Sequence, residues 1–378
     1  MLKHILFTLG TRPEAIKLSP LIQVCKQEPS FKVTVLSTGQ HDSMLYQGLA
    51  PFHVEVDRNL KLMRPNQNLN SFISEALNVL GKEYETIHPD VVFVQGDTST
   101  VLAAAMAAFY LKIPVAHVEA GLRTHDYKNP FPEEANRRLT DHLSSFHFCP
   151  TSLSKSNLKR ENIPSDHIFI SGNTIVDALE WLKNKDHCSL PQKLTSLSRD
   201  TPVILVTLHR RENHGIYLKH ICRELMDFIE TNPNIYLYFP VHLNPMVRET
   251  VFSMLQHPRI ILDEPADYYD LLGAIQRSTL IVTDSGGIQE EAPSFNKYVV
   301  VLRKKTERPE SIERGISTLF DPEDKGLAQF LNKCLKSNIH EGTFISPYGD
   351  GKASQRIKDY LLWEWGLKKL KPVEFKSE

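Results

Sequence analysis

The sequence alternates short apolar runs with longer helical segments, and the alternation occurs in two successive series. The runs are rich in β-branched residues, which is typical of parallel strands buried on both faces by helices. The first series comprises residues 4–9, 33–37, 91–94, 115–118, 146–149 and 168–171. The second comprises residues 203–207, 235–239, 260–262, 280–283 and 299–302. The sequence therefore predicts an α/β protein with two parallel sheets.

Two domains are also expected from the length of 378 residues, which exceeds that of one ordinary domain. A polar stretch at 183–187 separates the two series of strands. Near the end, Ile357, Tyr360, Leu361 and Trp365 fall on one face of a last helix, which Gly366 terminates. We predict one domain at 1–173 joined by a returning helix at 358–378, and a second at 174–357.

Charge and cysteine content limit the possible partners and compartment. The 44 Lys and Arg residues against 45 Asp and Glu give a net charge of −1, so the chain lacks the basic field that binds nucleic acid or an anionic membrane. The five cysteines are widely spaced and form no zinc or disulfide pattern. No run approaches the roughly 20 apolar residues that cross a bilayer. A soluble, cytoplasmic protein without a metal site is expected.

Polar residues follow several strands of the first series, where ligands of open α/β sheets bind. Arg12 and Lys17 follow the first strand, and both cations could face a phosphate. Asp97 follows the run at 91–94. The run at 115–118 contains His117 and leads into Glu119 and Arg123, which places these three residues at the same sheet edge. Capping of the next helix is the alternative interpretation of an acid such as Asp97.

A further acid, Glu133, follows two prolines and begins a probable helix. Arg137 lies four residues later, so a surface ion pair worth a few tenths of a kcal/mol is the alternative to a functional role.

Strand ends in the second half are rich in cations and glycine. His209 and Arg210 follow the run at 203–207, and His242 follows the run at 235–239. The turn Ser285-Gly286-Gly287 lies between a strand and a helix, where free N–H groups favour a diphosphate. Neither G-x-G-x-x-G nor a P-loop motif is present. A nucleotide-diphosphate sugar is the ligand that these features favour.

Motifs along nearly the whole chain resemble those of the non-hydrolysing UDP-N-acetylglucosamine 2-epimerases of bacteria. They are G-T-R-P-E-A-I-K at 10–17, T-G-Q-H at 38–41, Q-G-D-T at 95–98, H-V-E-A-G-L-R at 117–123, P-E-E-x-N-R at 132–137, H-R-R-E-N at 209–213 and D-S-G-G-x-Q-E-E at 284–291. The resemblance implies a GT-B-like fold with two Rossmann-like domains whose sheets face a central cleft. It also implies anti elimination of UDP and its return through 2-acetamidoglucal, without a cofactor or metal, to supply surface polysaccharide.

The family's functional residues are carried over at matching positions. The acid or base candidates are Asp97, Glu119 and Glu133, and His209 is grouped with them as catalytic. The resemblance assigns the UDP-sugar to a larger set of residues, which comprises Arg12, Lys17, Arg137, Asn244, Ser285, Gly286, Gly287, Glu291 and Arg308.

A second UDP-N-acetylglucosamine acts as an activator in many members of this family. The corresponding residues here are Gln40, His41, Arg64, Arg210 and His242. Asp42 replaces the usual Arg of that motif, which weakens the prediction of activation. A homodimer is expected by resemblance alone.

Three rival functions are less consistent with these residues. A hydrolysing epimerase, which releases N-acetylmannosamine and UDP, is expected to begin with G-S-R-A-E instead of the G-T-R-P-E at 10–14. A GT-B glycosyltransferase has less need of three carboxylates, and their presence also argues against a UDP-sugar sensor without turnover.

Overall fold

The structure is a computed structural model that describes residues 2–40, 42–64, 67–128, 130–184, 188–210, 213–336 and 344–376. The chain forms two compact units. Unit 1 comprises Met1–Leu182 and Tyr348–Glu378, and unit 2 comprises Lys183–Pro347.

The unit boundaries differ from the expected ones at 173/174 and 357/358. Residues after 173 remain in unit 1 because Trp181 donates a hydrogen bond to the carbonyl of Pro51 at 3.1 Å. Asp177 also accepts hydrogen bonds from the N–H groups of Ala353 and Ser354, at 3.1 and 2.7 Å. These contacts keep the segments that precede and follow unit 2 in the sequence within unit 1.

Each unit contains one parallel sheet. Over the described residues, unit 1 has seven strands in the order β3-β2-β1-β4-β5-β6-β7, and unit 2 has six in the order β10-β9-β8-β11-β12-β13. The strands of unit 1 are β1 (Lys3–Leu9), β2 (Phe31–Ser37), β3 (Arg58–Asn59), β4 (Val91–Gln95), β5 (Val115–Val118), β6 (Phe146–Cys149) and β7 (Ile168–Ile170). Those of unit 2 are β8 (Val203–Thr207), β9 (Tyr236–Pro240), β10 (Ile260–Asp263), β11 (Leu280–Thr283), β12 (Val299–Leu302) and β13 (Ser317–Phe320). The predicted α/β class with two Rossmann-like parallel sheets is confirmed.

Helices connect the strands of each unit. They are α1 (Arg12–Lys26), α2 (Asp42–Leu49), α3 (Leu69–Ile87), α4 (Ser99–Tyr110), α5 (Glu133–Leu143), α6 (Ser152–Arg160), α7 (Thr174–Asn184), α8 (Ile216–Thr231), α9 (Pro245–Met254), α10 (Tyr268–Arg277), α11 (Gly286–Glu291), α12 (Glu310–Glu313), α13 (Leu327–Lys336) and α14 (Ala353–Glu364). The last helix, α14, packs against α1 within unit 1. Among the described residues, no helix is long and apolar enough to cross a membrane.

Apolar packing of the sheets explains why the strands were recognisable. Every residue of β4 is buried, and so is every residue of β11 and β12. In unit 1, Phe93 stacks against Phe7 at 4.9 Å between ring centroids and against Phe148 at 6.1 Å, so one aromatic row ties β1, β4 and β6 together. Cys25, Cys149 and Cys222 are buried free thiols.

Candidate functional site

In unit 1 the strand order reverses between β1 and β4, and ligands of open α/β sheets bind at the carboxyl ends of strands near such a reversal. Arg12 begins α1 directly after β1, and Asp97 follows β4. Glu119 follows β5, which pairs with β4 in parallel. The structure therefore places Arg12, Asp97 and Glu119 at one edge of one sheet.

Asp97 is bound by the guanidinium group of Arg137 from α5. Arg137 Nε lies 3.0 Å from Asp97 Oδ2, and a second nitrogen of the same group contacts that oxygen. The amide of Asn136 donates to the main-chain oxygen of Asp97 at 2.9 Å. The cap of α4 is instead Thr98, whose hydroxyl accepts a hydrogen bond from the Val101 N–H. The helix-cap interpretation of Asp97 is therefore wrong.

Arg137 is a buried side chain, with 4% of its surface exposed. Besides Asp97 it contacts Glu134, at 3.3 Å. The guanidinium group therefore forms these two ion pairs from a buried position, unlike the surface pair considered from the sequence. Glu133 is the first residue of α5, one turn before Arg137, and is half-buried.

Glu119 is held from three elements by donors that converge on one carboxylate oxygen. Its Oε2 accepts hydrogen bonds from Gln95 Nε2 and Asn173 Nδ2, each at 3.1 Å, and forms an ion pair with Lys17 Nζ. Its backbone has a φ of 69°, in the left-handed region that a residue with a Cβ adopts at a cost of about 1 kcal/mol or more. The surrounding contacts therefore fix the carboxylate in place.

The environment of Lys17 differs from the one expected of a diphosphate ligand, because its ammonium group is buried and paired with Glu119. Arg12 has no such partner: among the described residues, its guanidinium group makes no hydrogen bond or ion pair. Of the two cations predicted to bind phosphate in unit 1, Arg12 is the one whose charge is not already neutralised.

His117 and Arg123 lie behind this edge in a buried charge network. His117 Nδ1 is 2.6 Å from Asp141, and its other ring nitrogen is 2.8 Å from the carbonyl oxygen of Gly96. Arg123 binds Asp141 at 2.7 Å and Glu161 at 2.6 Å. Burial alone would raise the pKa of Asp141, but the charges of His117 and Arg123 hold it well below its ordinary value. The network supports the strand ends, and Glu161 is its partly exposed member.

In unit 2 the strand order reverses between β8 and β11, and Asp284 directly follows β11. Its carboxylate accepts the N–H groups of His209 and Arg210 at 3.1 and 3.0 Å, the amide of Asn213 at 2.9 Å, and contacts His209 Nδ1 at 3.0 Å. Burial alone would raise the pKa of Asp284, but its hydrogen bonds with His209, Arg210 and Asn213 lower it. Asp284 therefore holds His209 at the strand reversal.

The turn at 285–287 begins α11 beside this loop. Ser285 occupies the N-cap position, yet its hydroxyl makes no capping hydrogen bond. A Cβ added at Gly286 would lie 2.5 Å from a guanidinium nitrogen of Arg308, so a larger residue would displace that side chain. At Gly287 the corresponding space is open apart from Ser285 Oγ at 3.8 Å. The Ser285 N–H donates to the Thr283 hydroxyl at 2.9 Å. Within the described chain, the turn thus offers a diphosphate the Ser285 hydroxyl and the N–H groups of Gly286 and Gly287 at a helix start.

Three other predicted ligands of the UDP-sugar already have protein partners. Glu291 accepts a hydrogen bond from the hydroxyl of Tyr268 at 2.9 Å. Arg308 is buried, binds Glu290 at 2.6 Å and contacts Glu307. Asn244 is the N-cap of α9, and its side-chain oxygen accepts the Met246 N–H at 3.0 Å. These contacts orient the side chains, and their predicted contacts with substrate stay predictions.

The residues predicted for a second UDP-sugar lie in both units. In unit 1, Gln40 accepts a hydrogen bond from Thr100 at 2.8 Å, and the exposed Arg64 pairs with Glu75. His41 lies outside the described residues.

In unit 2, the ring of His242 is 6.1 Å from that of His209. Partial burial and the charge of His209 lower the pKa of His242. Arg210 Nε is buried without a hydrogen-bond partner in the described part of the chain.

Sequence reasoning missed several residues that shape the site. Glu14 is fully buried, accepts hydrogen bonds from the Gly10 N–H and the Thr11 hydroxyl, and has a pKa raised by burial to about 7. The T-x-x-E spacing at 11–14 is that of a capping box and could have indicated Glu14. Nothing local in the sequence indicates the long-range contact of Asn173 with Glu119.

No group of three or more His, Cys, Asp or Glu side chains within the described ranges could hold a metal ion.

Comparison with known proteins identifies the family. The family model described as UDP-N-acetylglucosamine 2-epimerase matches residues 23–362. The UDP-N-acetylglucosamine 2-epimerase of Salmonella typhimurium is 43% identical over 94% of this chain and 98% of its own length.

Two solved structures give the same result for the fold. The S. aureus MnaA–UDP co-structure matches with a TM-score of 0.92 and 38% identity, over 99% of this chain and 100% of that one. The Neisseria meningitidis UDP-GlcNAc 2-epimerase bound to UDP-GlcNAc matches with a TM-score of 0.89 and 41% identity, over 95% and 99% of the two chains. With matches of this extent, the chain belongs to the UDP-N-acetylglucosamine 2-epimerase family.

Proposed function

We propose that the protein is a non-hydrolysing epimerase that interconverts UDP-N-acetylglucosamine and UDP-N-acetylmannosamine. The observation that carries the proposal is the pair of carboxylates, Asp97 and Glu119, at neighbouring strand ends of one sheet, each fixed by a buried cation. Structures of relatives with UDP or UDP-GlcNAc bound support the choice of substrate.

The reaction makes two demands on the protein. The C2 proton has no adjacent carbonyl group to acidify it, so cleavage of the C1–O bond has to lead and the departing diphosphate has to be stabilised. The C2–H pair then forms the C1–C2 double bond, the C1–O pair leaves with UDP, and a carboxylate takes the proton. Reversal with protonation on the opposite face gives the epimer, so acids or bases are needed on both faces of the sugar.

The residues of the two units supply different parts of this chemistry. In unit 1, Asp97, Glu119 and Glu133 are the proposed acids and bases, and Arg12 offers a cation without a protein partner among the described residues. In unit 2, His209 and the turn at 285–287 are the proposed diphosphate ligands, with Glu291 as the ligand of the ribose.

Isotope exchange separates this function from hydrolysis. The protein incubated with UDP-N-acetylglucosamine in D₂O should form UDP-N-acetylmannosamine carrying deuterium at C2, measured by NMR and mass spectrometry. Free N-acetylmannosamine with an equivalent amount of UDP would show a hydrolysing epimerase. Epimerisation without deuterium at C2 would exclude proton transfer and sink the mechanism.

Asp97→Asn tests the assigned chemistry while leaving the size of the side chain unchanged. We expect kcat to fall about 100- to 10,000-fold, because the amide cannot exchange a proton, and UDP binding measured by calorimetry to be retained. Asp90→Asn is the matched control, since Asp90 lies at the opposite end of the same strand and pairs with Lys3. An active Asp97→Asn variant would contradict the role of Asp97.

The proposal has three further parts. A second UDP-N-acetylglucosamine would activate the enzyme through Gln40, His41, Arg64, Arg210 and His242, which initial rates against substrate concentration would show as sigmoidal. The chain would form a homodimer, which sedimentation equilibrium measures. The product, an activated sugar, would supply glycosyl transfer into surface polysaccharide.

A further inference from the structure

We propose that Gln95 and Asn173 are positioning residues that hold the Glu119 carboxylate as an anion, ready to accept the C2 proton of the substrate. This inference rests on the proposed function and extends it to two amide side chains that do not themselves react.

The donors around Glu119 come from three separate parts of unit 1. Lys17 lies on α1, Gln95 ends β4, and Asn173 directly precedes α7. All three side chains are buried, with 7%, 3% and 2% of their surfaces exposed. Because water is excluded from these groups, the carboxylate of Glu119 loses its hydration on burial, and the three donors take the place of that water.

The orientation of the Asn173 amide is fixed by its other contacts. Its side-chain oxygen accepts the N–H of Ile175 at 3.1 Å, so the nitrogen has to be the atom that faces Glu119. The backbone N–H of Asn173 donates to the carbonyl of Tyr348 at 2.6 Å. Asn173 is thus held by α7 on one side and by the returning chain on the other, and it cannot turn its acceptor toward the carboxylate.

The backbone of Glu119 is held equally firmly. The N–H groups of Glu119 and Ala120 both donate to the carbonyl of Phe148, at 3.0 and 3.2 Å. These bonds keep Glu119 in its left-handed conformation at the end of β5. Backbone and side chain are therefore both immobilised, which is the preorganisation that efficient proton transfer requires.

The convergence of donors also determines which oxygen takes the proton. A hydrogen on Oε2 would point at an ammonium and two amide N–H groups, none of which can accept it. In the proposed step Glu119 begins as an anion, and the proton removed from C2 binds to Oε1 as the C1–O electron pair leaves with UDP. Lys17, Gln95 and Asn173 keep their own protons throughout.

The test uses near-isosteric variants that turn a donor into an acceptor. Asn173→Asp keeps the oxygen that accepts the Ile175 N–H but directs its second carboxylate oxygen at Glu119. Gln95→Glu likewise replaces an N–H donor from β4 by a carboxylate oxygen that faces Glu119. We expect kcat to fall about 100-fold, as for a misplaced reacting group, while KM stays within about three-fold and UDP binding is unchanged. Gln95→Met, which only removes the donor, should lose less activity than Gln95→Glu.

Matched controls carry the same substitutions at amides away from Glu119. Gln23→Glu alters a side chain that donates to the carbonyl of His53 at 3.2 Å, and Asn232→Asp alters one that donates to the carbonyl of Phe228 at 2.7 Å. Both should keep wild-type kcat.

The outcomes separate this inference from the proposed function. An inactive wild-type protein overturns both. An active wild type whose Gln95 and Asn173 variants keep kcat within two-fold overturns only the positioning role. Equal losses of kcat and of UDP-binding capacity would show a merely structural role and also overturn it.

Discussion

A buried carboxylate is stable as an anion only where charges or hydrogen-bond donors replace water, and unit 1 contains two different solutions. Glu119 faces the ammonium of Lys17, and Asp141 faces the guanidinium of Arg123. Glu14 relies on the Gly10 N–H at 2.6 Å and the Thr11 hydroxyl at 2.8 Å, and burial raises its pKa to about 7. The contrast shows that facing charges lower the pKa of the buried Asp141, whereas hydrogen bonds alone leave the pKa of Glu14 raised.

Glu14 should make the stability of the protein depend on pH near neutrality. Its pKa is higher in the folded chain, about 7, than the ordinary value of 4.5, so the folded state binds more protons between these values. The free energy of unfolding therefore falls as pH rises through this window, by about 3 kcal/mol from this group. Glu14→Gln should remove that dependence, as measured by urea unfolding at several pH values.

The exposed Glu55 provides the control, because Glu55→Gln should leave the pH dependence of the wild type intact. Curves for Glu14→Gln and wild type that run parallel from about pH 4 to 8 would show that Glu14 has the same pKa in both states.

At the scale of elements, the two helices that flank unit 2 in sequence are joined by one buried acid. Asp177 of α7 accepts the N–H groups of Ala353 and Ser354 in the first turn of α14, where Lys352 supplies no capping side chain. The apolar face of α14, including Ile357 and Tyr360, is buried in unit 1. Asp177 thus accepts the first-turn N–H groups of α14, as the side chain of an N-cap residue ordinarily does.

Removing this cap should loosen α14. We expect Asp177→Ala to lower the stability of the protein by about 1–2 kcal/mol, because two first-turn N–H groups lose their acceptor. Asp177→Asn keeps an acceptor oxygen and should lose less. Hydrogen exchange measured by mass spectrometry should be faster over 353–364 in the Ala variant, and exchange there at the wild-type rate would exclude the capping role.

At the scale of the whole molecule, the strands were predictable because each sheet is buried on both faces. The eleven apolar runs correspond to strands in the structure, with ends that differ by at most two residues. The two additional strands were missed for a physical reason. The strand β3 consists only of Arg58 and Asn59, and β13 carries the polar residues Ser317 and Thr318, so neither has the continuous apolar pattern of a buried strand.

The candidate site was predictable at the level of strand ends but not of partners. Asp97 and Glu119 could be identified because Glu119 directly follows one apolar run and Asp97 lies three residues after another. The pairing of Asp97 with Arg137 could not, because the two residues are far apart in sequence and the local rule links Arg137 to Glu133 instead. Long-range pairs such as Lys17 with Glu119 depend on the strand order, which the apolar pattern does not contain.

The proposed function assigns the nucleotide to residues of unit 2 and the acids to unit 1, and this assignment predicts which amides UDP protects in the intact chain. If unit 2 binds the nucleotide, UDP alone should protect backbone amides around 209–210 and 284–287 from hydrogen exchange, because Asp284 ties these segments into one loop cluster. At about 100 times its Kd, UDP should stabilise the folded protein by about 2.7 kcal/mol. Ser285→Ala should weaken that stabilisation, whereas Ser253→Ala, at an exposed serine of α9, should not. Protection by UDP confined to the strand ends of unit 1 would reverse the proposed roles, since the nucleotide would then be held by the acids and not by the glycine turn.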